Sequence, residues 1–202
     1  MARCFLAINL SSEATGEILA AMDKWKFLGR HVRWIRPENI HLTMKFLGDI
    51  STSKTREVAE TMKAICSNTT PFSINLASTG VFPNLRRPRI LWVGLDGDIH
   101  ELSSLRDSME IGLKACGIDQ DRKPFIPHVT VARIKGRPPS KEKLSQFVCS
   151  RLAPAATRCT AIHFYSSRLT PSGSVYSLLG IFPFERKHGT AFQVFGTSSE
   201  KN

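Results

Sequence analysis

Two short signatures constrain this chain more than anything else in it: His41-Leu42-Thr43-Met44 and His128-Val129-Thr130-Val131, offset by 87 positions. Side chains at i and i+2 of a β-strand share a face. Each signature therefore sets an imidazole and a hydroxyl on one face and two apolar residues on the other. Leu42 and Met44, like Val129 and Val131, are expected to anchor their strands to a core, leaving His and Thr in the open. An unperturbed histidine titrates at about 6.5, so it gives or takes a proton near neutrality. A threonine hydroxyl can donate to a phosphate oxygen. Two such strands across one cleft would supply a general base and a general acid without a metal.

The surroundings repeat in the same order. Ser12 to Leu28 precedes the first signature, with Ile18, Leu19, Met22 and Trp25 near helical spacing. Asp98 to Cys116 precedes the second, with Leu102, Leu105, Met109 and Leu113. Helical patterns also follow both, over Ser53 to Cys66 and Ser140 to Cys149, each opening on a serine suited to a helix start. Strand-like segments come next, Phe72 to Ala77 and Arg89 to Leu95 in one half, Ala161 to Ser166 and Ser174 to Ile181 in the other. Trp92 and Leu179 are again 87 apart, which reads as a register kept across both halves. Duplication is the natural account.

A chain of 202 residues, 42% hydrophobic, can bury a real core as one domain or two small lobes. No run of about 18 apolar residues occurs, so no membrane span is expected. Residues 1–10 read as a first strand and not as a signal peptide. Five cysteines without a C-x-x-C pair argue against a disulfide framework or zinc site and fit a reducing cytoplasm. Turn residues such as Pro37-Glu38-Asn39, Gly48-Asp49 and Pro171-Ser172-Gly173 punctuate an α+β pattern. The net charge of +11 points to a polyanion, RNA or nucleotides first. Basic residues gather at Arg30, Arg33 and Arg36 before the first signature and at Arg133, Lys135 and Arg137 after the second, as if flanking a phosphate-lined groove.

The stretch Val32-Arg33-Trp34-Ile35-Arg36-Pro37-Glu38-Asn39-Ile40-His41-Leu42-Thr43-Met44-Lys45-Phe46-Leu47-Gly48 resembles the two-histidine (2H) phosphoesterase superfamily. Within it the chain is most similar to the LigT-like RNA 2′,3′-cyclic phosphodiesterases, also called 2′-5′ RNA ligases. Phe82-Pro83, residues 88–94, Pro127 to Arg133, and Ser167-Arg168-Leu169 with Gly173 and Tyr176 extend the resemblance, which runs from about residue 3 to 185. It implies an α+β, bilobal, duplicated fold: each lobe a mainly antiparallel sheet with helices on its outer face, and the motif strands lining a central cleft. Residues 1–186 would form this one two-lobed domain, with 187–202 a polar tail. The implied activity is hydrolysis of RNA 2′,3′-cyclic phosphate ends or cyclic nucleotides to 2′-phosphates, with no metal or other cofactor; a monomer is expected, though the sequence does not fix the oligomeric state. The resemblance assigns His41 as proton donor, His128 as proton acceptor, and Thr43, Thr130 and Arg133 as phosphate contacts.

Arg133, at His128 + 5, has the wrong parity for the cleft face: either a bulge or the strand end re-aims it, or its role here is weaker than the resemblance implies. Lys45, at His41 + 4, has the right parity and is a further candidate phosphate contact. Phe82, in a turn-like segment, is a candidate to stack on a base, whereas Trp92 reads as core. His31, His100, His163 and His188 lack the signature and read as structural or surface residues. Two other functions remain open: 2′-5′ ligation or cleavage at the same histidines, and a non-catalytic basic RNA-binding module.

Overall fold

The computed structural model describes residues 2–171 and 173–185; the expected tail lies outside the described residues. The order of elements is β1 (Ala2–Asn9), α1 (Ser12–Lys24), β2 (Val32–Trp34), β3 (His41–Ile50), α2 (Thr52–Cys66), β4 (Phe72–Phe82), β5 (Ile90–Gly97), α3 (Ile99–Ala115), β6 (His128–Ile134), α4 (Lys141–Val148), β7 (Ala156–Cys159), β8 (Ala161–Thr170) and β9 (Gly173–Pro183). Three helices start where a serine hydroxyl accepts an otherwise unpaired N–H: Ser11 from Ala14 at 3.1 Å, Ser51 from Lys54 at 3.2 Å, and Ser140 from Lys143 at 3.5 Å. Every helix foreseen in the sequence is present. The short strands β2 and β7 were not foreseen, because three or four residues carry too little alternation to register.

The strands form one curled antiparallel sheet in the order β7-β4-β5-β6-β3-β1-β8-β9, with β2 on the remaining edge of β6. Divided between β6 and β3, it becomes two four-stranded lobes that mirror each other. The chain exchanges its ends between them: β8 and β9 extend β1 and β3, whereas β4 pairs with β5. The helices follow the exchange. The buried faces of α2 and α3 join β1, β3 and β8 in one core, and those of α1 and α4 join β5 and β6 in the other. Burying each such large apolar side chain contributes about 1.5–3 kcal/mol.

This topology corrects the register inferred from Trp92 and Leu179. Strand β5 lies inside the sheet beside β6, in the place β1 holds beside β3, whereas β9 is an outer strand paired with β8. The second repeat therefore begins at β5, and the spacing shared by Trp92 and Leu179 joins non-equivalent strands.

The alternation read from the signatures holds through their four residues. Leu42, Met44, Val129 and Val131 are buried, and His41, Thr43, His128 and Thr130 are half-buried on the opposite face. It then breaks in both strands at the same place. Thr43 pairs with Ala7 and Lys45 with Leu6, leaving Met44 as an extra residue. Thr130 pairs with Trp92 and Ala132 with Leu91, leaving Val131 extra. Each is a β-bulge three residues after its histidine, and beyond it the facing reverses.

The bulge in β3 overturns the expectation that Lys45 meets phosphate. Lys45 is turned beneath the sheet and is 1% exposed. Its Nζ donates to both carboxylate oxygens of Glu110 at 2.9 Å and to the Asp119 carbonyl at 2.8 Å, and lies 3.1 Å from Asp121. Arg106 of α3 joins Glu110 and Asp121 from the other side and lies over the Phe125 ring. Burial alone would raise the Glu110 carboxyl, but hydrogen bonds from Lys45 and Arg106 outweigh it and hold the group below the usual range. The network ties residues 119–125, the loop that leads into β6, to the strand that carries His41. Lys45→Met would leave Glu110 without one of its two cations. We expect a loss of about 3–5 kcal/mol in urea unfolding; a loss below 1 kcal/mol would show that the loop is held by other contacts.

Candidate active site

Strands β3 and β6 touch at one ladder position, Leu42 opposite Val129. Extending that antiparallel register sets His41 beside Thr130 and Thr43 beside His128. The histidines are then diagonal neighbours, which on an antiparallel pair stand about 7–8 Å apart at Cα. Both imidazoles and both hydroxyls thus stand on the same face of the paired strands.

The two imidazoles are held alike. His128 Nδ1 lies 2.7 Å from the Ile126 carbonyl, which can only accept, so Nδ1 carries the proton and Nε2 has a free lone pair. His41 also bonds the backbone two residues upstream, at Asn39, and its Nε2 lies 3.0 Å from Thr43 Oγ1. Burial pushes His41 down from 6.5 to about 4, against the upward pull of the Asn39 hydrogen bond. Burial also lowers His128, opposed by Ile126. Both rings are consequently neutral at pH 7 in the free protein. An anion between them would favour the charged forms and raise both values.

Aromatic rings fix the imidazole planes. Phe5 stacks on His41 at 5.0 Å and 22°, with Tyr165 stacked on Phe5 at 5.4 Å. Tyr176 meets His41 edge-on at 5.6 Å. Beside His128, Phe82 stands edge-on at 4.9 Å and packs on Trp92 at 5.1 Å. Trp92 is half-buried, with its indole over Gly80, where an added Cβ would come within 2.1 Å of the ring; only glycine fits there. The packing read for Trp92 is thus local support for Phe82 and His128.

The bulge in β6 does for Arg133 what parity alone forbids. After the extra Val131, Ala132 is buried and Arg133 is exposed on the cleft side. It lines a cleft of about 900 Å³ together with Phe5, Phe46 and Tyr176. Burial raises the Tyr176 hydroxyl, and the charge of Arg133 acts to lower it, placing the guanidinium close to the ring that touches His41. Phe46 occupies the position in β3 that Arg133 holds in β6, five residues after the histidine, and is 62% exposed. Phe5, Phe46 and Tyr165 were not singled out from the sequence. Phe5 sits in an apolar run buried on both sides, which shows no alternation, and Phe46 reaches the cleft only through the bulge.

A ring-resolved NMR titration should place His41 at about 4 and His128 below 6.5, with both values rising when phosphate is added. A His41 value at or above 6.5 in the free protein would show that the ring is solvated.

Known proteins resemble this chain in sequence and in fold. The family described as the 2′-5′ RNA ligase superfamily matches residues 16–170. A protein of Methanothermobacter thermautotrophicus named RNA 2′,3′-cyclic phosphodiesterase is 30% identical over 89% of this chain and 97% of its own length. One of the same name from Thermotoga maritima is 30% identical, covering 91% and 96%. Among solved structures, TT0787 of Thermus thermophilus superimposes with a TM-score of 0.80 at 26% identity, over 92% of this chain and all of its own. LigT of E. coli, at 22% identity and a TM-score of 0.72, shares the fold over 92% of this chain and 98% of its own. With both histidine strands and the intervening core inside the matched span, the chain belongs to the 2′-5′ RNA ligase superfamily.

Proposed function

We propose that this protein hydrolyses RNA 2′,3′-cyclic phosphate ends to 2′-phosphates by paired-histidine acid–base catalysis, without a metal. The observation that supports the reading is the pairing of the two H-x-T-x strands at Leu42 and Val129, which brings their histidine-bearing faces side by side. The relatives named above bear this activity in their names.

The steps follow from the geometry. The free Nε2 of His128 takes a proton from water as its oxygen attacks phosphorus. The P–O3′ bond opens in line with that attack, and His41, in the imidazolium form that the bound anion favours, gives its Nε2 proton to O3′, leaving a 2′-phosphate and a 3′-hydroxyl. Thr43 and Thr130 donate to the non-bridging oxygens, and Arg133 meets their charge as it gathers, where fixed donors help most. In the free protein Thr43 is engaged with His41 Nε2, so substrate takes over that partner. Phe82, edge-on to His128, is the apolar contact on that side of the phosphate. With a 5′-hydroxyl in place of water the same step makes a 2′-5′ bond, the second reading that the superfamily's description favours.

His41→Ala and His128→Ala should each lower kcat roughly 10²–10⁴-fold on a cyclic-ended oligonucleotide while RNA affinity persists. Wild-type turnover should survive EDTA and yield only the 2′-phosphate. Full activity in both variants would refute the assignment, and a 3′-phosphate product would exchange the two roles.

The pH dependence follows from the shifts. The base must be neutral, so the rate rises with pH through the lower macroscopic pKa; the acid must be protonated, so it falls through the upper one. Both rings lie below 6.5 in the free protein, so kcat/KM should peak on the acid side of 6.5. Bound phosphate raises His41, so the falling limb of kcat should lie at higher pH than that of kcat/KM. A kcat/KM maximum above pH 8 would contradict the paired imidazoles.

A further inference from the structure

Strand β3 leaves β6 after one ladder position, and β2 takes over the vacated edge. Val32 pairs with Ile134, Arg33 with Arg133, and Trp34 with Ala132. The join is extended at both ends: Ile35 N–H donates to the Val131 carbonyl at 2.9 Å and Lys135 N–H to the His31 carbonyl at 2.8 Å. Two arginines therefore face each other directly across a firmly bonded ladder. Side chains so placed have Cβ atoms about 4.5–5.5 Å apart, and like charges there are destabilising. Lys135, two residues beyond Arg133, shares its face.

All three cations are exposed and line the cleft that Phe5 and Tyr176, the ring neighbours of His41, also line. Among the described residues no carboxylate lines that cleft. Among the described residues none lies within ion-pair distance of Arg33, Arg133 or Lys135. The cyclic phosphodiester between the histidines carries one negative charge, which Arg133 and the threonines already meet. Arg33 and Lys135 add charge that this phosphate does not need. The Arg33–Arg133 rung also stands three residues past Thr130, roughly 7–10 Å at about 3.3 Å per residue. Arg133 is the nearest of the three to Thr130 along the chain; Arg33 pairs with it from β2, and Lys135 lies two residues farther on.

We propose that Arg33 and Lys135 form a second anion subsite, which holds the phosphate on the O5′ side of the nucleoside whose cyclic phosphate is being opened. The subsite makes the enzyme selective for RNA ends over free cyclic nucleosides. The proposal rests on the cyclic phosphodiesterase reading above. The O5′ phosphate is a diester in RNA and a monoester in a 5′-phosphorylated nucleotide, and the same cations serve both.

The test compares three substrates at one salt concentration: adenosine 2′,3′-cyclic phosphate, its 5′-phosphorylated form, and the ApA dinucleotide with a cyclic end. Wild-type kcat/KM should rise roughly ten- to a hundredfold on adding the second phosphate in either form. Arg33→Ala/Lys135→Ala should abolish that gain, leave adenosine 2′,3′-cyclic phosphate within twofold of wild type, and weaken the salt dependence for the dinucleotide. Equal kcat/KM for all three wild-type reactions would overturn the subsite. So would a gain confined to the dinucleotide that survives in the double variant, since the upstream nucleoside would then carry it. Affinities of the same ligands for His128→Ala separate the two claims. A second-phosphate gain in binding without turnover by wild type would support the subsite and refute the proposed function.

Discussion

The extra residue three places after each histidine governs the whole site. Without the bulges, strict alternation would send Lys45 into the cleft and Arg133 under the sheet, so that a cation would face the substrate from the first strand and not from the second. With them, Lys45 turns down to meet Glu110 and Asp121, and Arg133 turns up beside Tyr176. Phe46 then holds the cleft position opposite in the pseudo-symmetry. One local irregularity, used twice, gives two lobes of the same plan different chemistry: an aromatic on the His41 side and a guanidinium on the His128 side.

The exchange of chain ends between the lobes holds this arrangement together. Neither lobe is built from one sequence half, since α3 covers the His41 strand and α1 covers the His128 strand. The motif strands themselves meet at one position. Their relative placement is instead held by helices that cross over and by the Lys45–Glu110–Arg106–Asp121 network, which ties β3 to the loop before β6. That loop ends at Ile126, whose carbonyl sets the tautomer of His128. A buried cation under one histidine thus fixes the approach to the other. Desolvation in the same packed environment keeps both rings neutral until an anion arrives.

Much of this was legible from residue order. Helix starts followed from serines whose hydroxyls meet backbone N–H groups, a contact made within four residues. The faces of His41, Thr43, His128 and Thr130 followed from the two-residue period of a strand, and their burial agrees with it. The parity conflict at Arg133 left a bulge, the strand end or a weaker role open, and the structure supplies the bulge, whereas the matching bulge in β3 left no such trace. Lys45 looked well placed on parity, and only its buried partners reveal where it goes. Trp92 and Leu179 show the opposite hazard, an equal spacing that joins strands with different neighbours.

What the sequence settled by itself is therefore what depends on near neighbours: the caps, the helical stripes, the paired signatures and the excess of positive charge. Tertiary structure alone decided what depends on distant ones. Glu110 and Asp121 lie far along the chain from Lys45 and claim it only once α3 is packed. Strand β2 finds the edge of β6 only because β3 has left it. The depressed values of the two histidines arise from burial, which no residue order displays. Each of these is a contact between segments that folding, not covalent sequence, brings together.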